Sequence, residues 1–165
     1  MKIDDFINFS KMAIAKGSFI MHRECGTLVE VNQIAGRAVG KMKTTITQRF
    51  RWGDGPEFDV DCDCRFIFFC KKNTQCEWKH AYHKVIYDKD RVIPVDGEHV
   101  HKFEEKDLNK YPYPYRHLAA AQARLGFNCL TDLPTMNNES GAKMYQAMKA
   151  WLAGESVDEL LGVPE

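Results

Sequence analysis

Residues 57–72, "EFDVDCDCRFIFFCKK", alternate almost without interruption. The even positions are Phe58, Val60, Cys62, Cys64, Phe66, Phe68 and Cys70. The odd positions begin Glu57, Asp59, Asp61, Asp63, Arg65 and turn apolar only at Ile67 and Phe69. A period of two sends successive side chains to opposite faces of a strand, so one face carries thiols and rings while the other begins with acids. The preceding "RWGDGPE" supplies a turn, and a three-residue loop Gly53-Asp54-Gly55 fixes the register of the two strands it joins. It sets Arg49 opposite Asp59, Thr47 opposite Asp61 and Lys43 opposite Arg65, with Phe50, Ile46 and Met42 meeting Phe58, Cys62 and Phe66 on the other face. Lys41, Lys43 and Arg49 then lie beside the aspartates, which relieves like-charge repulsion. The alternation therefore describes a sheet with one wet side. A strand of this length spans about 50 Å and is expected to bend or bulge. Curled, with helices on its concave side, such a sheet encloses a pocket.

Outward from this strand the order is helix, sheet, helices. Residues 3–15 read as a helix, with Ile3, Phe6, Ile7 and Ile14 near one stripe and Gly17 as its stop. "GTLVEVN" (26–32), "AVGKMKTTITQRFRW" (38–52) and "EWKHAYHKVIYDKDRV" (77–92) are the other strands of an antiparallel meander. After Pro94 the character changes. The alternating prolines of "YPYPY" (111–115) exclude both a helix and a central strand. "RHLAAAQARLG" is a short helix closed by Gly126, and residues 127–141 are a loop. "AKMYQAMKAWLAG" is amphipathic, with Met144, Met148, Trp151 and Leu152 on one stripe. "SVDELLG" opens with a capping box of Ser156 and Glu159 and is expected to be helical. The chain reads as one α+β domain over 1–165: helix 1–17, curved sheet 21–92, and C-terminal helical closure 95–165.

Composition narrows the function classes. At 165 residues the chain can bury a core of its own. Lysine plus arginine balance aspartate plus glutamate at 23 each, so no global field favours nucleic acid or an anionic membrane. "MKIDDFINF" has acids where the apolar run of a signal peptide begins, and no run approaches the ~20 residues of a membrane span. Cys62, Cys64 and Cys70 share one strand face, on which even adjacent positions are about 7 Å apart along the strand, too far for easy bridging. Reduced, mostly buried thiols and a cytoplasmic location are the expectation.

Four segments, "MHRECGTLVEV", "GRAVGKMKTTITQRF", "CRFIFFCKK" and "EWKHAYHKVIYDKDRV", together resemble the nuclear-transport-factor-2-like superfamily, most of all its SnoaL-like and scytalone-dehydratase-like branches. The resemblance covers residues 21–92. It implies a cone-shaped curved antiparallel sheet closed by helices, a cystatin-like roll with an apolar pocket inside. Members include polyketide cyclases, dehydratases, ketosteroid isomerases and hydrolases, besides proteins that only bind, so the fold does not settle function. His22 falls where the dehydratase-like branch keeps a pocket histidine. That branch's second histidine falls on Met42, and its serine and asparagine fall on Cys64 and Phe66, so scytalone dehydration itself does not carry over. Family members usually begin with longer helices. Closure of the cone is left to residues 95–165, to a partner subunit or to sequence ahead of this chain. A homodimer is the family default.

Individual residues keep two readings each. His22 is a general acid or base, or a histidine hydrogen-bonded at a strand entry. His80 and His83 sit on opposite faces of a regular strand, so at most one points inward, and His83 can meet His22 across the pocket mouth. Tyr87, near Asp88 and Asp90, is an oxyanion stabiliser, or "YDKDR" is a solvated strand end. "YPYPYRH" is a lid that sends Tyr115 or His117 into the pocket, or a rigid surface crossing. Arg65, Lys43 and the aspartates form a polar site if the faces are reversed. Cys62 and Cys64 have a one-residue spacer and no accompanying zinc frame, so no metal is expected. Cys64 as a nucleophile would need a lowered pKa, and an apolar face raises it. The pocket expected is built by Met42, Thr44, Cys64 and Phe66, with His22 as proton shuttle aided by His83 or Tyr87. The expected activity is that of a cofactor-independent lyase or isomerase on a small apolar, aromatic or polyketide-like ligand. The alternative is a module that binds such a ligand without converting it.

Overall fold

The computed structural model describes residues 3–15 and 19–163. The expected stop at Gly17 lies outside them. Helix α1 (Ile3–Ala15) precedes four strands, β1 (Phe19–Asn32), β2 (Arg37–Phe50), β3 (Phe58–Lys72) and β4 (Trp78–Pro94). After them come α2 (Glu105–Leu108), a 3-10 turn (Tyr113–Tyr115), α3 (Arg116–Arg124) and α4 (Glu139–Ala153). The strands form one antiparallel sheet in the order β1-β2-β3-β4, an α+β meander.

The β2–β3 register is the one the turn dictates: Arg49 pairs with Asp59, Thr47 with Asp61, Lys43 with Arg65, Phe50 with Phe58, Ile46 with Cys62 and Met42 with Phe66. The strands part at Phe50 and Phe58, so the connection is longer than three residues. Its tight point is still glycine: Gly53 takes a φ of 55°, and Gly55 N–H donates to the Trp52 carbonyl at 3.0 Å. No bulge interrupts β3 against β2. The bends fall in the edge strands, where Cys25 is skipped in β1 and Ala81 and Asp88 are skipped in β4. Bulges placed at edges increase the local twist and curve the sheet. Because of the Cys25 bulge, β1 lacks the simple alternation expected of a strand. It begins at Phe19 rather than Gly26.

The C-terminal half does not close a single face. On the even face of β3, Ile46, Phe50, Phe58, Val60, Cys62 and Cys64 pack under Tyr115 and the Leu118, Ala119 and Ala121 side of α3. On the odd face, Val39, Ile67, Phe69 and Ile86 pack under Met144, Ala147, Met148 and Trp151 of α4. The split follows from the odd positions of β3 turning apolar past Arg65: a second buried stripe needs its own helix. Each large side chain so buried stabilises the fold by about 2 kcal/mol. Trp151 anchors α4, its Nε1–H shared between the Ala38 and Cys70 carbonyls at 3.1 and 3.0 Å, with Arg37 stacked 4.0 Å above its ring.

Two expected helical features differ. "SVDELLG" forms a turn rather than a helix, with Ser156 Oγ donating to Asp158 instead of capping. Val157 and Leu161 are drawn into the α4 core, and their burial sets the local path. Of the α1 stripe, Ile7 and Ile14 are exposed, as is Met12. Among the described residues no helix is long and apolar enough to cross a membrane.

Candidate functional site

Read across the sheet, the even face is a set of rows. His22 aligns with Ile46, Cys62 and Asp90; Glu24 with Thr44, Cys64 and Tyr87; Thr27 with Met42, Phe66 and Val85; Val29 with Gly40, Phe68 and His83. Helix α3 and the 3-10 turn cover the first of these rows and reach the second through Tyr115, which packs 4.9 Å from Tyr87. Phe66 is itself 8% exposed, and beyond it the face opens: Phe68 and Cys70 are only half-buried.

Histidines frame this open end. His22 meets the Phe66 ring edge-on at 5.4 Å, and His83 meets it from the other side at 5.1 Å while stacking on Phe68 at 5.0 Å. His80 joins them, 5.6 Å from Phe68 and 6.1 Å from His83. The expectation that His80 and His83 lie on opposite faces is corrected by the bulge at Ala81, which resets the alternation and puts both rings on the even face, where both remain exposed. Partial burial against the rings lowers the pKa of His22. Burial, reinforced by the neighbouring His80 and His22, lowers that of His83. Both shifts favour the neutral imidazole, the form that accepts a proton.

The adjoining row is drier. Burial, with Asp88 and Asp63 nearby, pushes the Cys64 thiol up to about 12, and its Sγ donates to the Thr44 carbonyl at 3.3 Å. It is a packing thiol, not a nucleophile. Burial likewise raises Cys62. Thr44 is 2% exposed, and among the described residues its Oγ1 has no hydrogen-bond partner. Burial holds the Tyr87 hydroxyl firmly protonated, as a donor must be. Tyr87 also borders a cavity of about 240 Å³ beneath α3, shared with Tyr115, Gln122 and Cys129.

The structure therefore brings together His22, Met42, Phe66 and His83, with Thr44, Cys64 and Tyr87 in the next row. It does not bring Tyr115 and His117 to the open end. Tyr115 is core, its hydroxyl donating to the Leu130 carbonyl at 3.2 Å and accepting from Leu133 N–H at 3.3 Å. His117 donates through Nδ1 to Asp90 at 2.7 Å, and Asp90 also accepts the backbone N–H of His117 and of Leu118 at 2.7 and 2.9 Å. Asp90, whose carboxylate is 1% exposed, is a cap on α3 supplied by another element. "YDKDR" is accordingly no solvated strand end: β4 runs on to Pro94.

On the odd face most of the charges are paired. Asp61 is held by Thr47, Arg23 and Arg91, Asp63 by Thr45, Asp59 by Arg49, and Arg65 by Asp88 and the Tyr145 hydroxyl. Among the described residues Asp88 Oδ1 stays buried without a hydrogen-bond partner, and Lys43 makes no ion pair. All six cysteines are free, but Cys25 and Cys76 are exposed rather than buried. Sequence reasoning set Asp90 only beside Tyr87, gave Phe68 no role, and placed His80 on the face opposite His83. For Asp90 the only signal was an acid two positions from a face-setting bulge, which alternation cannot locate.

Fold and site define a single-sheet α+β domain that presents an open, histidine-flanked aromatic surface. No family model matches the chain. It is 41% identical over 162 residues to Pea pathogenicity protein 2 of Fusarium vanettenii, a match spanning 93% of this chain and 69% of that protein. An uncharacterized protein of Emericella nidulans is 37% identical with the same coverage, and one of Aspergillus terreus is 38% identical over 81% of this chain and 54% of its own length. The chain belongs to the family of Pea pathogenicity protein 2.

Proposed function

We propose that this is a nuclear-transport-factor-2-like domain, of SnoaL-like type, whose even face forms the wall of a cone and takes a small, largely apolar ligand over Phe66. The ligand packs on Met42, Phe66 and Phe68, and His22 and His83 reach it from either side. The reaction class is proton transfer without a cofactor, an elimination or isomerisation. His22 takes the proton and the Tyr87 hydroxyl lies one row away to stabilise developing negative charge. The observation that carries the reading is the pair of imidazoles, His22 and His83, that both pack edge-to-face with the Phe66 ring. An imidazole that stands unprotonated beside an apolar surface is available to accept a carbon-bound proton. The names of the relatives specify no reaction, so the residues alone support it.

The test is a panel of aromatic and polyketide-like carbonyl compounds, scored for turnover and for binding. His22→Ala is expected to lower turnover by at least about 100-fold, with the thermal melt unchanged. Undiminished activity in that variant removes His22 from the mechanism. A second reading, binding without conversion, is favoured by the openness of the face and by apolar residues at Met42 and Phe66. In that case affinity is nearly independent of pH. A proton-accepting imidazole in contact with the ligand instead makes affinity change below the ordinary histidine range.

A further inference from the structure

Among the described residues the outer edge of β1 is unshared: in the sheet its only neighbour is β2. The strand is 14 residues long and exposed along almost its whole length. Phe19 is 80%, Leu28 59%, Val29 57% and Val31 47% exposed. Apolar side chains stand on both faces of this edge, Ile20, Val29 and Val31 on the even face and Phe19, Met21 and Leu28 on the other. A long apolar edge without proline is a template for another strand. Nor do its charges guard it. Arg23 is bound to Asp61 at 3.1 Å, Glu30 to Lys41 at 2.7 Å, and Glu24 accepts from Thr27. All three are committed within their own molecule.

We propose that the occupant of this edge is a second copy of the chain, paired antiparallel through β1 about a twofold axis normal to the sheet and placed beside Cys25 and Gly26. The bulge selects this register. A strand with an extra residue at Cys25 pairs evenly with a copy of itself only where the two bulges meet, because elsewhere the extra residue faces a regular stretch and the faces fall out of step. With the bulges together, Ile20 faces Val31, His22 faces Val29 and Glu24 faces Thr27. On the other face Met21 meets Glu30 and Arg23 meets Leu28. No like charges oppose each other, and apolar residues meet at both ends of the even face. The twofold keeps the even faces on one side, so the two aromatic surfaces run into one another across an eight-stranded sheet. This pairing is independent of the proposed chemistry.

The same register puts the two Cys25 residues one diagonal apart, with Cα atoms about 6 Å from each other. Cys25 is free and exposed. The full chain is expected to sediment as a dimer at micromolar concentration and to give a covalent dimer with a short bis-maleimide. Cys25→Ser should lose that product, whereas Cys76→Ser, which removes the other exposed thiol, should keep it. Val29→Lys with Val31→Lys, at two exposed positions, should yield a monomer with an unchanged circular dichroism spectrum. Should that variant fail to fold, the Cys25 cross-link decides. A monomeric wild-type chain overturns the proposal. So does a dimer that persists in the lysine variant, or cross-linking undiminished by Cys25→Ser.

Discussion

Thr44 shows how a single polar atom reports on its surroundings. Its hydroxyl oxygen is enclosed between β1 and β3 and among the described residues has no hydrogen-bond partner, an arrangement that costs about 1–3 kcal/mol relative to a satisfied group. Valine has nearly the same shape and no such debt. Thr44→Val is therefore expected to raise the unfolding free energy by about 1 kcal/mol, read from urea titrations. A loss of stability would mean that the hydroxyl is bonded after all. Asp90 is the opposite case. Its carboxylate collects two backbone N–H groups at the start of α3 and the His117 imidazole. Asp90→Asn keeps the shape but leaves one oxygen to do the work of two, and should cost about 2 kcal/mol. If the loss matches that of His117→Ala, the imidazole bond alone matters and the cap contributes nothing.

At the level of elements, the start of α4 sets propensity against packing. Asn138 caps the helix by accepting from Gly141 N–H at 2.9 Å, and the same oxygen accepts Thr135 N–H at 2.9 Å. Gly141 lies so close to the preceding loop that a Cβ would collide with the Thr135 carbonyl. Alanine is the better helix former by about 1 kcal/mol, yet Gly141→Ala is expected to lower the melting temperature, because the loop must move and break the cap. A raised melting temperature would show that the loop yields freely. Comparable local rules explain which elements were legible in the sequence. The β2–β3 register could be read because alternation and the Gly53–Gly55 turn agree, and register is fixed by parity once the turn is placed. The stripe of α4 was equally plain, but amphipathicity states only that a face is buried, not which side of the sheet buries it. The apolar turn at Ile67 and Phe69 held that information, and its partner lay some eighty residues away. "SVDELLG" was misread because a capping signature weighs less than the burial of Val157 and Leu161.

The site became legible only once the whole sheet was assembled. His22, Met42 and Phe66 follow from parity along unbroken pairing, whereas His80 and His83 depend on a bulge that no local pattern announces. Together they give the molecule an acid sensitivity whose sign can be worked out. Burial lowers the pKa of both His22 and His83 in the folded state, and burial with Arg124 nearby lowers that of His101. The unfolded chain, with histidines near about 6.5, therefore takes up protons first as the pH falls. Stability is fully present above that value. It declines as the pH drops below the unfolded pKa and continues to decline until the folded-state values are passed. Carboxylates held low, such as Asp96 at about 2 through backbone bonds to His99 and Glu98, titrate further down and leave this window to the imidazoles. The rings are partly exposed, so solvent screening keeps the effect small. The urea midpoint should fall between pH 7.5 and pH 5.5, and His22→Gln with His83→Gln should flatten most of that slope, leaving the part due to His101. A midpoint that is level or rises on acidification would mean that the rings around Phe66 are as well solvated as free histidine. The open aromatic face could then not keep them as bases.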